Sequence, residues 1–239
     1  MRKLLAIAPA MVLAACSAGA RHDDRPSGAQ GQRSFQVGAF SAVSLEGSHD
    51  VVVAVGGAPS VRAEGDAEAI ERLDIRVENG TLKIGSRRRG GWFSRGHGRV
   101  TVHVAAPALN AASIGGSGDM RIDRVETASF DASIGGSGDM EIGALRARRA
   151  EFSIAGSGGI RASGQAEEAD ISIAGSGSVS AGSLETRRAD VSVVGSGDVE
   201  LRASEAVDAS IMGSGDVIVH GAARCNVSKM GSGDVRCGG

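Results

Sequence analysis

Apolar and polar residues alternate on both sides of a recurring Gly-Ser-Gly, and the alternation returns about every twenty residues. The first glycine of each motif is a marker: Gly116, Gly136, Gly156, Gly175, Gly195, Gly213 and Gly231, spaced 20, 20, 19, 20, 18 and 18. Two residues before the markers stand Ile114, Ile134, Ile154, Ile173, Val193 and Ile211, and four before stand Ala112, Ala132, Phe152, Ile171, Val191, Ala209 and Val227. Four after come Met120, Met140, Ile160, Val179, Val199, Val217 and Val235. A period of two on either side of a Gly corner predicts short strands, not helix. A sustained period near twenty predicts a solenoid, in which each unit buries its face only against its neighbours. The expected fold is all-β, a single-stranded parallel β-helix with coils of 18–20 residues. Its strands stack about 4.8 Å apart, so equal places in each unit form columns.

The outward columns are as regular as the inward ones. Three before the markers is Ser in every unit: Ser113, Ser133, Ser153, Ser172, Ser192, Ser210 and Ser228. Eight before, the charge alternates in sign: Arg148, Glu167, Arg187, Glu205, with Arg149, Glu168, Arg188 beside them. Opposite charges on successive coils contribute little each, about 0.2–1 kcal/mol, and a slipped register would set like against like. The column five before the markers breaks this logic: Asp131, Glu151, Asp170, Asp190 and Asp208, then Asn226. Carboxylates this close repel by about 1 kcal/mol per neighbour in a water-like dielectric. A compensating partner is therefore expected: hydroxyls, Arg or bound cations. A second acidic set, Asp119, Asp139, Asp198, Asp216 and Asp234, follows the corners directly and reads as turn chemistry.

Residues 35–105 repeat less clearly. Val51–Val55 and Val100–Val104 alternate as strands, Glu78-Asn79-Gly80-Thr81 reads as a hairpin turn, and Ala67–Leu73 as a short helix. Gly47-Ser48-His49-Asp50 is a degenerate corner at which the solenoid can begin. The stretch Arg87–Arg99, with Arg87, Arg88, Arg89, Trp92, Phe93 and Arg95, reads as a long hairpin loop. It is either solvated or a contact site for anionic lipid or glycan.

Composition sharpens this picture. The 239 residues include 37 Gly, no Tyr, one Trp and five Phe, as a narrow core of small aliphatics requires. A net charge of −2 excludes the basic excess of a nucleic-acid binder. The first fifteen residues read as a signal peptide: Arg2 and Lys3, then the apolar Leu4–Ala15, too short to span a bilayer. Leu13-Ala14-Ala15-Cys16 resembles the lipobox of bacterial lipoproteins. The resemblance implies cleavage before Cys16, a palmitate-type lipid anchor on it and, with Ser17 next, the outer membrane, facing periplasm or cell surface. A plain secretory signal is the alternative. Residues 16–34 then form the lipidated Cys and a small, polar tether, and 35–239 the folded domain, with the regular coils from 106.

The order of features resembles the bacterial head GIN domain, an autotransporter adhesin head family. Phe40-Ser41-Ala42-Val43 with Gly47-Ser48-His49-Asp50-Val51, Gly65-Asp66, and Glu78-Asn79-Gly80-Thr81-Leu82-Lys83-Ile84 carry the resemblance. Val100-Thr101-Val102, Pro107-Ala108-Leu109 and the Gly-Ser-Gly-Asp units complete it. It covers nearly all of the mature chain and implies a right-handed β-helix of the envelope, the hand favoured by parallel crossovers in general. The family supplies no catalytic residues. In this chain Gly159 and Ser178 replace the corner Asp of the middle units.

No catalytic constellation is visible. His22, His49, His97, His103 and His220 lack metal-ligand spacing, and the serines sit in a structural column. Three readings follow, the third of them a purely structural periplasmic spacer. One is a non-enzymatic envelope lipoprotein without cofactor that displays a repetitive surface to a glycan or protein. The alternative is a calcium-dependent module that binds or processes glycans along Asp131, Glu151, Asp170, Asp190 and Asp208. Cys225 and Cys237 lie six before and six after Gly231, where other units have Val207 and Val219. Both are expected inward, either joined in a disulfide that closes the last coil or as two free thiols.

Overall fold

The computed structural model describes residues 29–87 and 98–238. The chain runs β1 (Gln30–Phe35), β2 (Ala42–Gly47), β3 (Asp50–Val55), β4 (Ser60–Asp66), α1 (Ala67–Glu71), β5 (Leu73–Glu78), β6 (Thr81–Ser86) and β7 (Val100–Ala106). It continues with β8 (Ala111–Gly116), β9 (Met120–Ile122), β10 (Val125–Gly136), β11 (Asp139–Gly156), β12 (Gly159–Gly175) and β13 (Ser178–Gly195). The last strands are β14 (Asp198–Gly213), β15 (Val217–His220), β16 (Arg224–Gly231) and β17 (Val235–Cys237).

The molecule is a β-solenoid. From β8 upward every pairing is parallel, and the seven marker glycines lie in one line, Gly116 through Gly231. The line starts one coil earlier, at Gly47, which pairs with Gly116. The markers have φ between 126° and 148°, and a Cβ there would collide with the carbonyl oxygen of the marker one coil below. Only glycine accepts both conditions. The next residue ties each corner to the one before: the N–H of Ser137, Ser157, Ser176 and Ser196 each donates to the preceding marker's carbonyl at 2.9 Å.

Inside, the columns close into one core. Ile114, Ile134, Ile154, Ile173, Val193 and Ile211 are buried, as are Met120, Met140, Ile160, Val179, Val199 and Val217. Each such side chain contributes about 1.5–3 kcal/mol relative to exposure. The core also holds three aromatic rings, Phe40, Phe130 and Phe152, which small aliphatics alone did not predict. Phe130 and Phe152 are both 0% exposed because each stacks on alanine: Phe130 opposite Ala150, and Phe152 opposite Ala132. Large against small keeps every layer the same width.

The N-terminal part builds a cap. β6 lies parallel under β2, and β7 parallel under β3, so these two form a coil below the first one. β5 runs antiparallel to β6 through a turn with Asn79 at φ 51° and Gly80 at φ 76°. β4 runs antiparallel to β7, and β1 antiparallel to β4. Asp66 caps α1, its Oδ1 accepting the Ala69 N–H at 2.9 Å. Ala69 and Ile70 seal the core from below.

Two expectations need correcting here. The strands that flank Arg87–Arg99 do not form a hairpin: β6 pairs with β2 and β7 with β3, and the two are not partners of each other. Locally, two alternating strands around a Gly-rich loop look the same in both cases. Arg87 is exposed and its N–H donates to the Arg72 carbonyl at 2.8 Å, while Arg88, Arg89, Trp92, Phe93 and Arg95 lie outside the described residues. Residues 30–34, expected in the tether, belong to a strand instead: Gln30–Phe35 pairs with β4 and Phe35 packs on the core, with the Arg33 guanidinium 5.0 Å over its ring.

Candidate functional site

Side chains that point outward from the stacked strands fall into columns, and most columns carry their own counterions. Arg149 donates to Glu168 at 2.8 Å, and Arg188 lies 3.7 Å from Glu168 and 3.3 Å from Glu205. Arg187 donates to Glu205 through Nε at 2.8 Å and Nη2 at 2.6 Å. Arg148 and Glu167 sit at matching places, flanked by the pairs Ala147–Ala166 and Arg149–Glu168. They form no ion pair among the described residues, so the neighbouring Arg149 does that work. Glu167 instead acts on Arg187 of the next coil, whose pKa is raised first by its bond to Glu205 and its charge, then by Glu167.

A further alternating column, five residues after the markers, escaped the sequence reading: Arg121, Glu141, Arg161, Ser180 and Glu200. Its register is continuous, with Arg121 bonded to Glu141 at 3.2 Å and His220 to Glu200 at 2.9 Å. The signal that reveals it is the same marker count applied one residue beyond the buried column.

One face is different. Asp131, Glu151, Asp170, Asp190, Asp208 and Asn226 stack in register with no sign change. Two places from them runs the serine column, whose first members are bonded, Ser113 Oγ donating to Ser44 Oγ at 2.9 Å. Arg149 reaches over to Asp170 at 3.3 Å, and Asn226 Nδ2 donates to Asp208 at 3.0 Å. Asp190 has neither. Burial, then the charges of Asp170 and Asp208, push its carboxyl above the ordinary value. Between carboxylates and hydroxyls lies a shallow groove of about 470 Å³, walled by Glu151, Asp170, Asp190 and Asp208 on one side and Ser172, Ser192 and Ser210 on the other.

The carboxylate line lacks the convergence that a calcium site needs. Among the described residues no three His, Cys, Asp or Glu converge to hold a metal ion. One carboxylate per coil at strand spacing gives a line, whereas calcium needs six to eight oxygens around a point. The corner carboxylates have a structural use instead. Asp119 Oδ1 accepts the Asp139 N–H at 3.0 Å, Asp139 that of Gly159 at 2.8 Å, Asp198 that of Asp216 at 3.0 Å, and Asp216 that of Asp234 at 2.9 Å. Where Gly159 and Ser178 interrupt the set, the N–H above turns to a backbone carbonyl, Ser178 to Gly158 and Asp198 to Gly177.

The remaining candidates sit at the poles. Cys225 and Cys237 are joined in a disulfide, with Cα atoms 6.5 Å apart, in register with Val207 and Val219. They are not sealed as those valines are: Cys225 is half-buried and Cys237 exposed, because no coil lies above them. Lys229 takes the place of Ile211, and its Nζ donates to the Gly233 carbonyl at 3.0 Å. At the other pole His49 Nε2 lies 2.7 Å from Ser86 Oγ, with burial lowering the imidazole pKa. Among the described residues no carboxylate bonds its other ring nitrogen, so the pair clasps β6 to the first corner without forming a triad.

Comparisons with known proteins agree with this geometry. The family model "Putative auto-transporter adhesin, head GIN domain" matches residues 39–223. No curated protein matches the chain. Among solved structures, a "putative adhesin" from Bacteroides fragilis is similar at TM-score 0.79 and 22% identity, covering 89% of this chain and 98% of its own. A "putative lipid binding protein" from Parabacteroides distasonis gives 0.71 and 23%, covering 89% and 98%. A "putative adhesin" from Parabacteroides merdae gives 0.70 and 19%, covering 88% and 97%. At these identities the likeness is one of fold.

Proposed function

The chain belongs to the head GIN domain family, and from that premise we propose that it is a non-catalytic adhesion module of the bacterial envelope. It is anchored through a lipid on Cys16 and meets its ligand with the face that carries the carboxylate and serine columns. The observation that carries this reading is the uncompensated charge. The neighbouring charged columns alternate in sign and the corner carboxylates accept backbone N–H groups of the next coil, whereas Asp190 has no ion-pair or hydrogen-bond partner among the described residues. Chains that violate a local rule while obeying it elsewhere do so at functional sites.

The polarity of the molecule supports display. The Ala67 N–H donates to the Ala29 carbonyl at 2.9 Å, so the tether enters at the pole capped by α1. The face then extends along the side of the stack, away from the anchor. Among the described residues no helix is long and apolar enough to cross a membrane.

Two measurements test the proposal. Metabolic labelling with palmitate is expected to mark the wild type and not Cys16→Ser. Cells displaying Asp170→Asn/Asp190→Asn/Asp208→Asn are expected to adhere to host or bacterial surfaces at least fivefold less than cells displaying the wild type. Equal adhesion at equal display would overturn the assignment of the face.

A further inference from the structure

The same face carries an exposed apolar row in its last coils only. One residue before the markers the chain has Gly115, Gly135, Ala155 and Ala174, then Val194, Met212 and Met230. The last three stack in register and are 51%, 56% and 71% exposed. A row of two methionines and a valine in water costs solvation unless something covers it, and Met is the residue of adaptable binding surfaces. Alternation along the strands puts the row on the same side as Ser192, Ser210 and Ser228, and as Asp190 and Asp208. Four strand residues separate the apolar row from the carboxylates, roughly 13 Å.

From this juxtaposition we infer that the C-terminal half of the face docks a cationic amphipathic helix of a partner protein, with its apolar stripe on Met212 and Met230 and its Lys or Arg side on Asp190 and Asp208. The inference rests on the reading of this face as the contact surface and names its partner. An α-helix with its side chains is about 10–12 Å wide, which fits between the two rows. The carboxylates have surplus negative charge to match: Asp170 shares Arg149, Asp208 bonds only an amide, and Asp190 forms no ion pair among the described residues. The serines between them are small enough to let a helix settle against the sheet.

Other occupants fit less well. A sugar ring stacks its C–H face on an aromatic ring, and these columns have none. A second copy cannot supply the helix from the described residues, because α1 has five residues and carries Glu68 and Glu71.

The test uses the full chain in detergent and a fluorescent 14-residue peptide with Leu along one helical face and Lys along the other. Controls are a scrambled peptide of equal composition and one with Glu in place of Lys. The amphipathic peptide is expected to bind at least tenfold tighter than either control, and Asp190→Asn/Asp208→Asn and Met212→Ser/Met230→Ser are each expected to weaken it about tenfold. Met230→Ser alone, at the most exposed position, provides a variant whose thermal melt should match the wild type. Equal binding of scrambled and amphipathic peptides, or unchanged binding in both double variants, would overturn the inference. If a glycan array is positive while the peptide fails, the partner is wrong but the adhesion reading stands. If the Asp170, Asp190 and Asp208 variant also adheres normally, the face itself is wrong.

Discussion

Two outward columns of one solenoid stand two residues apart on the same strands and treat charge in opposite ways. On one, Arg149, Glu168 and Arg188 alternate, and each carboxylate finds a guanidinium on the coil above or below. On the other, Glu151, Asp170, Asp190 and Asp208 repeat one sign, and Asp190 holds its proton more tightly than a free carboxyl. The backbone register is shared, so strand geometry is not the cause of the difference. What differs is whether the column is complete within the chain. An alternating column pairs within itself; the Asp190 column borrows Arg149 for Asp170 and leaves Asp190 without an ion pair among the described residues.

The largest expected effect removes the frame that both columns share. Gly175→Val forces a β-branched residue into φ 133° and drives its Cβ onto the Gly156 carbonyl. A loss of about 3–5 kcal/mol is expected in urea unfolding. A midpoint equal to wild type would mean that the glycine line does not set the register.

Charge changes in the two columns should then move stability in opposite directions. Glu168→Lys sets like charge against Arg149 and Arg188 and is expected to lower Tm by a few degrees. Asp190→Asn relieves repulsion from Asp170 and Asp208 and is expected to raise Tm by roughly 2 °C, since about 1 kcal/mol shifts a domain of this size by 2–4 °C. Both shifts should shrink in 1 M salt. The same sign for the two variants would end the comparison.

The pH dependence separates the single-sign column from the alternating ones more finely. Asp190 has a raised pKa in the fold, so its contribution to stability is full below the ordinary value of 3.8 and is lost as pH rises through the raised value. Glu205 is depressed, chiefly by its bond to Arg187, so its contribution is present above the ordinary 4.5 and is lost as pH falls through the lowered value. The Tm advantage of Asp190→Asn is therefore expected to vanish on acidification, whereas the deficit of Glu205→Gln should disappear there. The smallest effect expected is that of Arg187→Ala, a Tm change near 1 °C at neutral pH, because the pair it breaks is exposed. Melts from pH 3 to 8 check all three variants.

The site was largely legible from residue spacing. Counting from Gly116 and its repeats placed Asp190 between Asp170 and Asp208, Ser192 beside them, and Cys225 opposite Val207. What escaped were contacts that depend on reach or on threading. Arg148 and Arg149 are adjacent in sequence, yet it is Arg149 that reaches both Glu168 and Asp170. The strands β6 and β7 resemble the arms of a hairpin in any short window, and only the whole molecule shows them lying beneath β2 and β3. Phe130 and Phe152 fit a narrow core because each meets an alanine on the neighbouring coil.

By itself the sequence determined the period, the corners and the residues that share a column. A repeat of near-constant length with an obligatory glycine leaves the chain one economical way to bury alternate residues: in line with the unit before. Tertiary structure alone decided how the stack begins and ends, and which charges meet. Capping strands run antiparallel and outside the period, and a long side chain can choose between partners that spacing makes equivalent.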